Sequence, residues 1–137
     1  MSILTLAIYD VLAGDATLTG LLAQYNGLPA VFTADPAPGD AEPPYIVSAG
    51  DVAQTAWDTK TTRGREIVRD VRCYTDAEGG AVVIEAIAER VRFLLHRRAL
   101  IIGGHTWILS ECGGPVAADE PDYYGRILTI RAIAQEN

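Results

Sequence analysis

The chain has 137 residues, 49% of them apolar and 21% charged, with a net charge of -7. That length suits one domain over 1–137, given a usual domain size of about 100–150 residues, and such a chain needs no metal or disulfide staple. The acidic balance speaks against nonspecific nucleic-acid binding, no apolar run approaches the ~18 residues of a membrane span, and no basic N-terminal region marks a secretory signal.

Ser2 is placed to cap a first helix, in which Ile3, Leu4, Ala7, Ile8, Val11 and Leu12 recur at helical spacing until Gly14. Asp15 starts a second, short turn carrying Leu18, Leu21 and Leu22, which ends near Asn26-Gly27. Residues 30–33 predict a short strand. Four of the seven prolines, at 36, 38, 43 and 44, stiffen an acidic loop over 34–44. Residues 45–52 read as a strand. The polar stretch 53–63, with Trp57 within it, is a long hairpin tip or a mobile loop.

Residues 66–75 form the best strand pattern. Ile67, Val71 and Cys73 share one face, Val68 and Tyr74 the other, with Arg69, Asp70 and Arg72 interleaved. Asp76 can cap the following helix, which runs over 80–97. Its buried stripe is Ile84, Ile87, Ala88, Val91, Leu94 and Leu95; Glu85, Glu89, Arg92 and His96 form the opposite, solvated stripe. Gly103-Gly104, between apolar runs at 100–102 and 105–110, predicts a tight hairpin. Residues 112–122 read as a Gly/Pro/acid loop, and 123–134 as a closing strand. The order predicts an α+β fold: a mainly antiparallel sheet of about four to five strands with two amphipathic helices on one face. The other face is then only partly apolar, or covered by a neighbour.

No constellation carries chemistry. His96, His105, Cys73 and Cys112 have no metal-ligand spacing, and a Cys-His nucleophile pair lacks any local signature. The two cysteines read as free thiols. Gly14 to Gly20 is followed by no Gly-Lys-Ser/Thr, so it is not a phosphate loop. We therefore expect no catalytic residue, cofactor or metal. Charge is the distinctive feature. The first 59 residues contain seven acids and no base, whereas eight arginines lie between Arg63 and Arg98. Ten arginines against one lysine reflect either genome composition or an interface built on bidentate pairing. Trp57 likewise either folds back on its own sheet or anchors a partner.

The order of motifs resembles the tail-completion or tail-terminator family of long-tailed phages and phage-derived gene transfer agents. Ile8 to Leu12 followed by Asp15 to Leu18 is similar to the family's opening helix and D-x-x-L step. Pro44-Tyr45-Ile46-Val47 is similar to its P-Y-x-V strand, and Val71 to Thr75 to the strand before its main helix. Gly103-Gly104 resembles the following hairpin, and Tyr123 to Arg126 through Ile130-Arg131 the closing strand. Arg69 and Asp70 place charge where the family strand is more apolar, and 53–63 has no counterpart.

The resemblance implies a ring, usually of six subunits, at the head-tail junction of a virion, without catalysis. It would cap the tail tube, stop its polymerisation and join it to the head connector or head-closure protein, while DNA passes the lumen without sequence-specific binding. Neither cofactor nor membrane is implied. A closed ring needs two complementary patches. Subunit or partner contacts are expected from Trp57, Arg63, Arg65, Arg69, Arg72, Tyr123 and Arg126, with the arginines pairing across subunits to the acidic half. An acidic lumen wall or complementary patch is expected from Asp35, Asp40, Glu42, Asp51, Asp58, Asp119, Glu120 and Asp122. The alternatives are a head-closure or adaptor neck protein and, from another class, a small α+β enzyme or ligand-binding domain.

Overall fold

Both N-terminal helices start on a side-chain cap. In the computed structural model, which describes residues 2–34, 37–48, 50–79 and 81–137, the Ser2 hydroxyl accepts the Leu4 amide at 3.1 Å and opens α1 (Ile3–Ala13). The Asp15 carboxylate accepts the Leu18 amide at 2.9 Å and opens the single turn of α2 (Ala16–Thr19). Each cap satisfies an amide that the helix cannot. A small hairpin follows, β1 (Gln24–Tyr25) and β2 (Leu28–Pro29), turned by Asn26-Gly27 with both residues at positive φ. Asn-Gly is the favoured hairpin turn, here a hairpin rather than just the end of a helix.

The remaining strands form one six-stranded mixed sheet. Its order is β3 (Val31–Phe32), β4 (Tyr45–Val47), β6 (Gly64–Asp76), β8 (Tyr123–Glu136), β7 (His105–Ala117), with β5 (Asp51–Ala56) on the same side of β6 as β4. Among the described residues only β3 with β4 is parallel. The expected 45–52 strand is thus two strands, β4 and β5, and β5 takes up the first part of the 53–63 stretch. The hairpin alternative holds there: β5 pairs with β6 antiparallel as far as Ala56 and Arg65. A 3₁₀ turn (Ala77–Gly79) precedes α3 (Ala81–Leu95). The Asp76 carboxylate accepts the Glu78 amide at 2.9 Å, so it caps this turn rather than α3 itself. The class is α+β, with α1 and α3 packed in one core with Ile67, Val71, Leu128 and Ile130 of the sheet.

Two expectations fail for the same reason. Residues 100–102 are no strand: Leu100 and Ile102 alternate inward to the core while Ile101 is 94% exposed, so Gly103-Gly104 turns the chain into β7 without closing a hairpin. Gly113-Gly114-Pro115 is not a loop but an irregularity within β7, which regains register with β8 at Val116–Ile127. In both places long-range packing overrides local turn chemistry.

The third correction concerns Arg69. It shares its strand parity with Ile67, Val71 and Cys73, and its side chain is fully buried. The guanidinium donates through Nε to the Ser48 hydroxyl at 3.0 Å, and through Nη2 to the Ser48 carbonyl at 2.7 Å. Nη1 donates to the Thr5 hydroxyl at 3.2 Å and to Asp51 at 3.0 Å. Arg69 and Asp51 therefore pair inside one chain. A buried cation persists only when paired and hydrogen-bonded. Arg90 and Asp15 form a second such link, with a two-pronged contact at 2.9 and 2.8 Å. The acidic half and the arginine cluster thus meet first within the subunit.

Asp51→Ala leaves the buried guanidinium without its counter-charge and should cost about 3 kcal/mol, read as a lower midpoint in urea unfolding; an unchanged midpoint would show that Asp51 does not hold it. The Arg90 hydrogen bond holds Asp15 below its ordinary value of 3.8, against burial, which pushes it up. The stabilisation is complete above the ordinary value and disappears as pH falls through the lowered one. The stability gap between wild type and Asp15→Asn should therefore stay constant near neutrality and close below about pH 4, as followed by acid unfolding.

Candidate assembly surfaces

The helices cover one face of the sheet and leave the other open. Register puts Glu66, Val68, Asp70, Arg72 and Tyr74 of β6 beside Ile133, Arg131, Thr129, Ile127 and Gly125 of β8 on that open face. Most of these side chains are half-buried. Their charges are largely settled internally. Arg131 donates to Glu66 at 2.8 Å, which raises its already high pKa, and the Thr129 hydroxyl donates to Asp70 at 2.8 Å.

Arg72 differs. Among the described residues it has no carboxylate within ion-pair distance. It lines a shallow cavity of about 240 Å³ with Tyr45, Val47, Tyr74, Glu120 and Tyr123. Tyr74 fits because Gly125 lies opposite: a Cβ there would sit 3.3 Å from the tyrosine ring and 2.4 Å from the Ala118 carbonyl oxygen. An aromatic row continues outward, Tyr74 to Tyr45 to Phe32 to Tyr25, with ring centroids 5.5, 5.8 and 5.4 Å apart. Burial raises the Tyr45 phenol above its ordinary value, with smaller contributions from Tyr123, Tyr74 and Glu120, so it stays a neutral hydroxyl at physiological pH.

The two ends of the β6–β8 ribbon differ in charge. At the Asp76 end, Asp76, Glu78 and Asp122 border one depression with Pro43 and Tyr123. Glu42 precedes β4 at this end, and the exposed Glu120 lies beside Tyr123. Asp40 accepts the Tyr25 hydroxyl at 2.8 Å. Asp119 is neutralised by Arg126 at 2.8 Å and also accepts the Gly125 amide at 3.1 Å, so these two expected site residues serve each other. Asp35 lies outside the described residues. At the other end the 57–63 tip carries Lys60 and Arg63, with Arg65 just beyond. Arg65 meets Glu136 at 3.9 Å, both exposed, a contact of little energetic weight. Asp58 accepts the Gly64 amide at 3.1 Å. Trp57 folds back over Gly64, where a Cβ would meet its ring at 3.1 Å and its carbonyl oxygen at 2.6 Å, yet it remains 37% exposed. Trp57 thus folds back on its own sheet while keeping an exposed edge.

The helical face holds features that the sequence reading passed over. Phe93 is 54% exposed, with the Arg90 and Arg98 guanidinium groups each 4.8 Å from its ring centre. Such cation–π contacts orient the arginines without neutralising them. Leu6 and Ile101 edge a groove with Ser2, Ile3 and Asp10. Only the exposed, apolar type of these residues could have marked them beforehand.

The Cys-His pair is structural. The Cys112 amide donates to His96 Nδ1 at 3.0 Å, so this imidazole is tied to β7 rather than left on a solvated stripe. Burial pushes the Cys112 thiol up to about 11 and that of Cys73 up to about 12, which keeps both protonated and poorly nucleophilic. Among the described residues no three His, Cys, Asp or Glu side chains gather as metal ligands do.

Residues 6–135 match the model of a family described as tail completion protein gp17. No curated protein matches. Seven chains of solved structures match. One belongs to a structure titled "Virion of native gene transfer agent (GTA) particle"; it is 25% identical, covers 96% of this chain and 94% of its own, and superposes with a TM-score of 0.78.

Gly64→Ala forces a methyl against the Trp57 backbone and ring. It should destabilise by about 1–3 kcal/mol and displace the indole. A red-shifted Trp57 emission, read in a Trp107→Phe background, together with a lower melting temperature, checks this; an unmoved spectrum would mean the tip is not packed on Gly64.

Proposed function

The chain belongs to the tail completion protein gp17 family, and on that premise we propose that it is the tail terminator of a phage or gene transfer agent particle. It is a structural tail protein. Its proposed task is to form a ring on the head-proximal end of the tail tube, stop tube growth and present a surface to the head connector. The observation that carries this reading is the family match over nearly the whole chain, together with the likeness to a chain of a gene transfer agent virion.

The geometry supports it in two ways. A sheet with one face open is a subunit with a surface left to cover, as a ring requires. The charge difference between the ends of the β6–β8 ribbon suits a ring that meets different neighbours above and below. In this reading Glu42, Glu120 and Asp122, with Asp76 and Glu78, border the channel, where carboxylates repel DNA phosphates and let it slide. The Trp57 tip, with Arg63 and Arg65, engages the tube or the connector. No catalytic step is involved; the action is geometric, one face continuing the tube lattice and the other giving no template for a further layer.

Tube assembly tests this directly. Purified tube protein, polymerised from its initiator and imaged by electron microscopy, should stop lengthening when the chain is added, with density capping one end. Tubes that grow equally long with and without it would refute termination, and binding to isolated heads but not to tubes would favour the neck-adaptor alternative. Replacing 57–63 by Asn-Gly should leave the circular dichroism spectrum intact and abolish capping.

A further inference from the structure

The open sheet face and the outer face of α3 complement each other in charge, width and apolar content. On the sheet, Arg72 is the cation without a carboxylate within ion-pair distance among the described residues; it lies opposite Ile127, with Tyr74 on one side along β6 and Asp70, bonded to Thr129, on the other. On α3, Glu85 and Glu89 are exposed one turn apart, and neither is in an ion pair. Val82, 78% exposed, lies one turn before them and Phe93 one turn after. Two acids between two exposed apolar residues, facing one unpaired cation that lies opposite Ile127 and beside Tyr74, with Asp70 already engaged by Thr129, is the composition of a specific contact with a largely apolar surround.

The dimensions agree. The fifteen residues of α3 span about 22 Å. Four strands about 4.8 Å apart, over nine residues at about 3.3 Å each, offer a plan area of roughly 500–600 Å². Such a patch is of the order of the about 800 Å² per partner buried in a stable interface.

We propose that the open sheet face of one subunit is covered by the outer face of α3 from a second copy, with Glu85 and Glu89 meeting Arg72. This deepens the ring reading and rests on it. Because the two patches differ, the contact is heterologous: each subunit gives its helix to one neighbour and its sheet to the other, and the series ends only by closing. The second copy thereby supplies the missing third layer of a helix–sheet–helix sandwich. The tyrosines round Arg72 exclude water from the pair, which strengthens it.

Charge exchange tests the contact. Wild type, Arg72→Glu, the double variant Glu85→Arg/Glu89→Arg, and all three changes together are compared by sedimentation equilibrium over a wide concentration range. Circular dichroism and melting verify the fold; Glu85 and Glu89 are exposed on a helix, so their variant stays informative even if Arg72→Glu unfolds. Arg72→Glu and the double variant should each weaken association at least tenfold, and the combination should restore it to within a few-fold. Rings unaffected by either change, or a combination no better than its parts, would overturn the contact and leave the ring reading standing. A wild type that stays monomeric or stops at a dimer also overturns it, and the ring reading is then decided by tube capping, which needs no association in free solution.

Discussion

One buried guanidinium fixes how the N-terminal third of the chain sits on the sheet. Arg69 reaches from the centre of β6 to Thr5 on α1, to Ser48 after β4 and to Asp51 at the start of β5. β4 is three residues long and β5 is largely exposed, so apolar contact alone would hold Ser48 and Asp51 weakly; α1 adds this polar tie to its own buried Leu4, Ile8 and Leu12. Losing Asp51 from this placement would leave the buried charge without its counter-ion. With α1 fixed, one face of the sheet is closed; with β5 fixed, the hairpin that carries Trp57 has its direction.

The same economy leaves the other face unfinished. Three helices, one of them a single turn, and a hairpin of two-residue strands are too little material to cover both sides of a six-stranded sheet. The exposed side is instead made tolerable to water by one ion pair, Glu66 with Arg131, and one hydrogen-bonded carboxylate, Asp70 with the Thr129 hydroxyl, between half-buried apolar side chains. On the proposed ring reading, that mixture suits a face that meets water in the free chain and a neighbour in the assembly.

The helix caps and the apolar period of α3 were legible in the sequence, because caps and helical spacing are local. The long strand β6 was legible too, but its most telling residue was misassigned. The parity of Arg69 with Ile67, Val71 and Cys73 placed it inside; its charge suggested outside. Its partners Thr5, Ser48 and Asp51 lie 18 to 64 positions away, and no local pattern announces such a site. The Gly103-Gly104 and Gly113-Pro115 segments misled in the opposite sense. Their turn chemistry is genuine, but burial of Leu100 and Ile102 and pairing with β8 decided what the backbone does there. Among the candidate contact residues, the hairpin tip kept its exposed character. Arg126 and Asp119, distant enough in type to be read as separate surfaces, proved to be each other's partners.

The long ribbon of β6 and β8 also has a mechanical meaning. Every residue of β6 from Gly64 to Asp76 is in register with β8, over about 40 Å. Antiparallel hydrogen bonds lie across the strands. A pull along the ribbon therefore loads all the rungs together in shear, whereas a pull at right angles would open them one at a time like a zip. A subunit strained between its acidic end and its Trp57 end yields last along this axis, and the ribbon acts as its tension member.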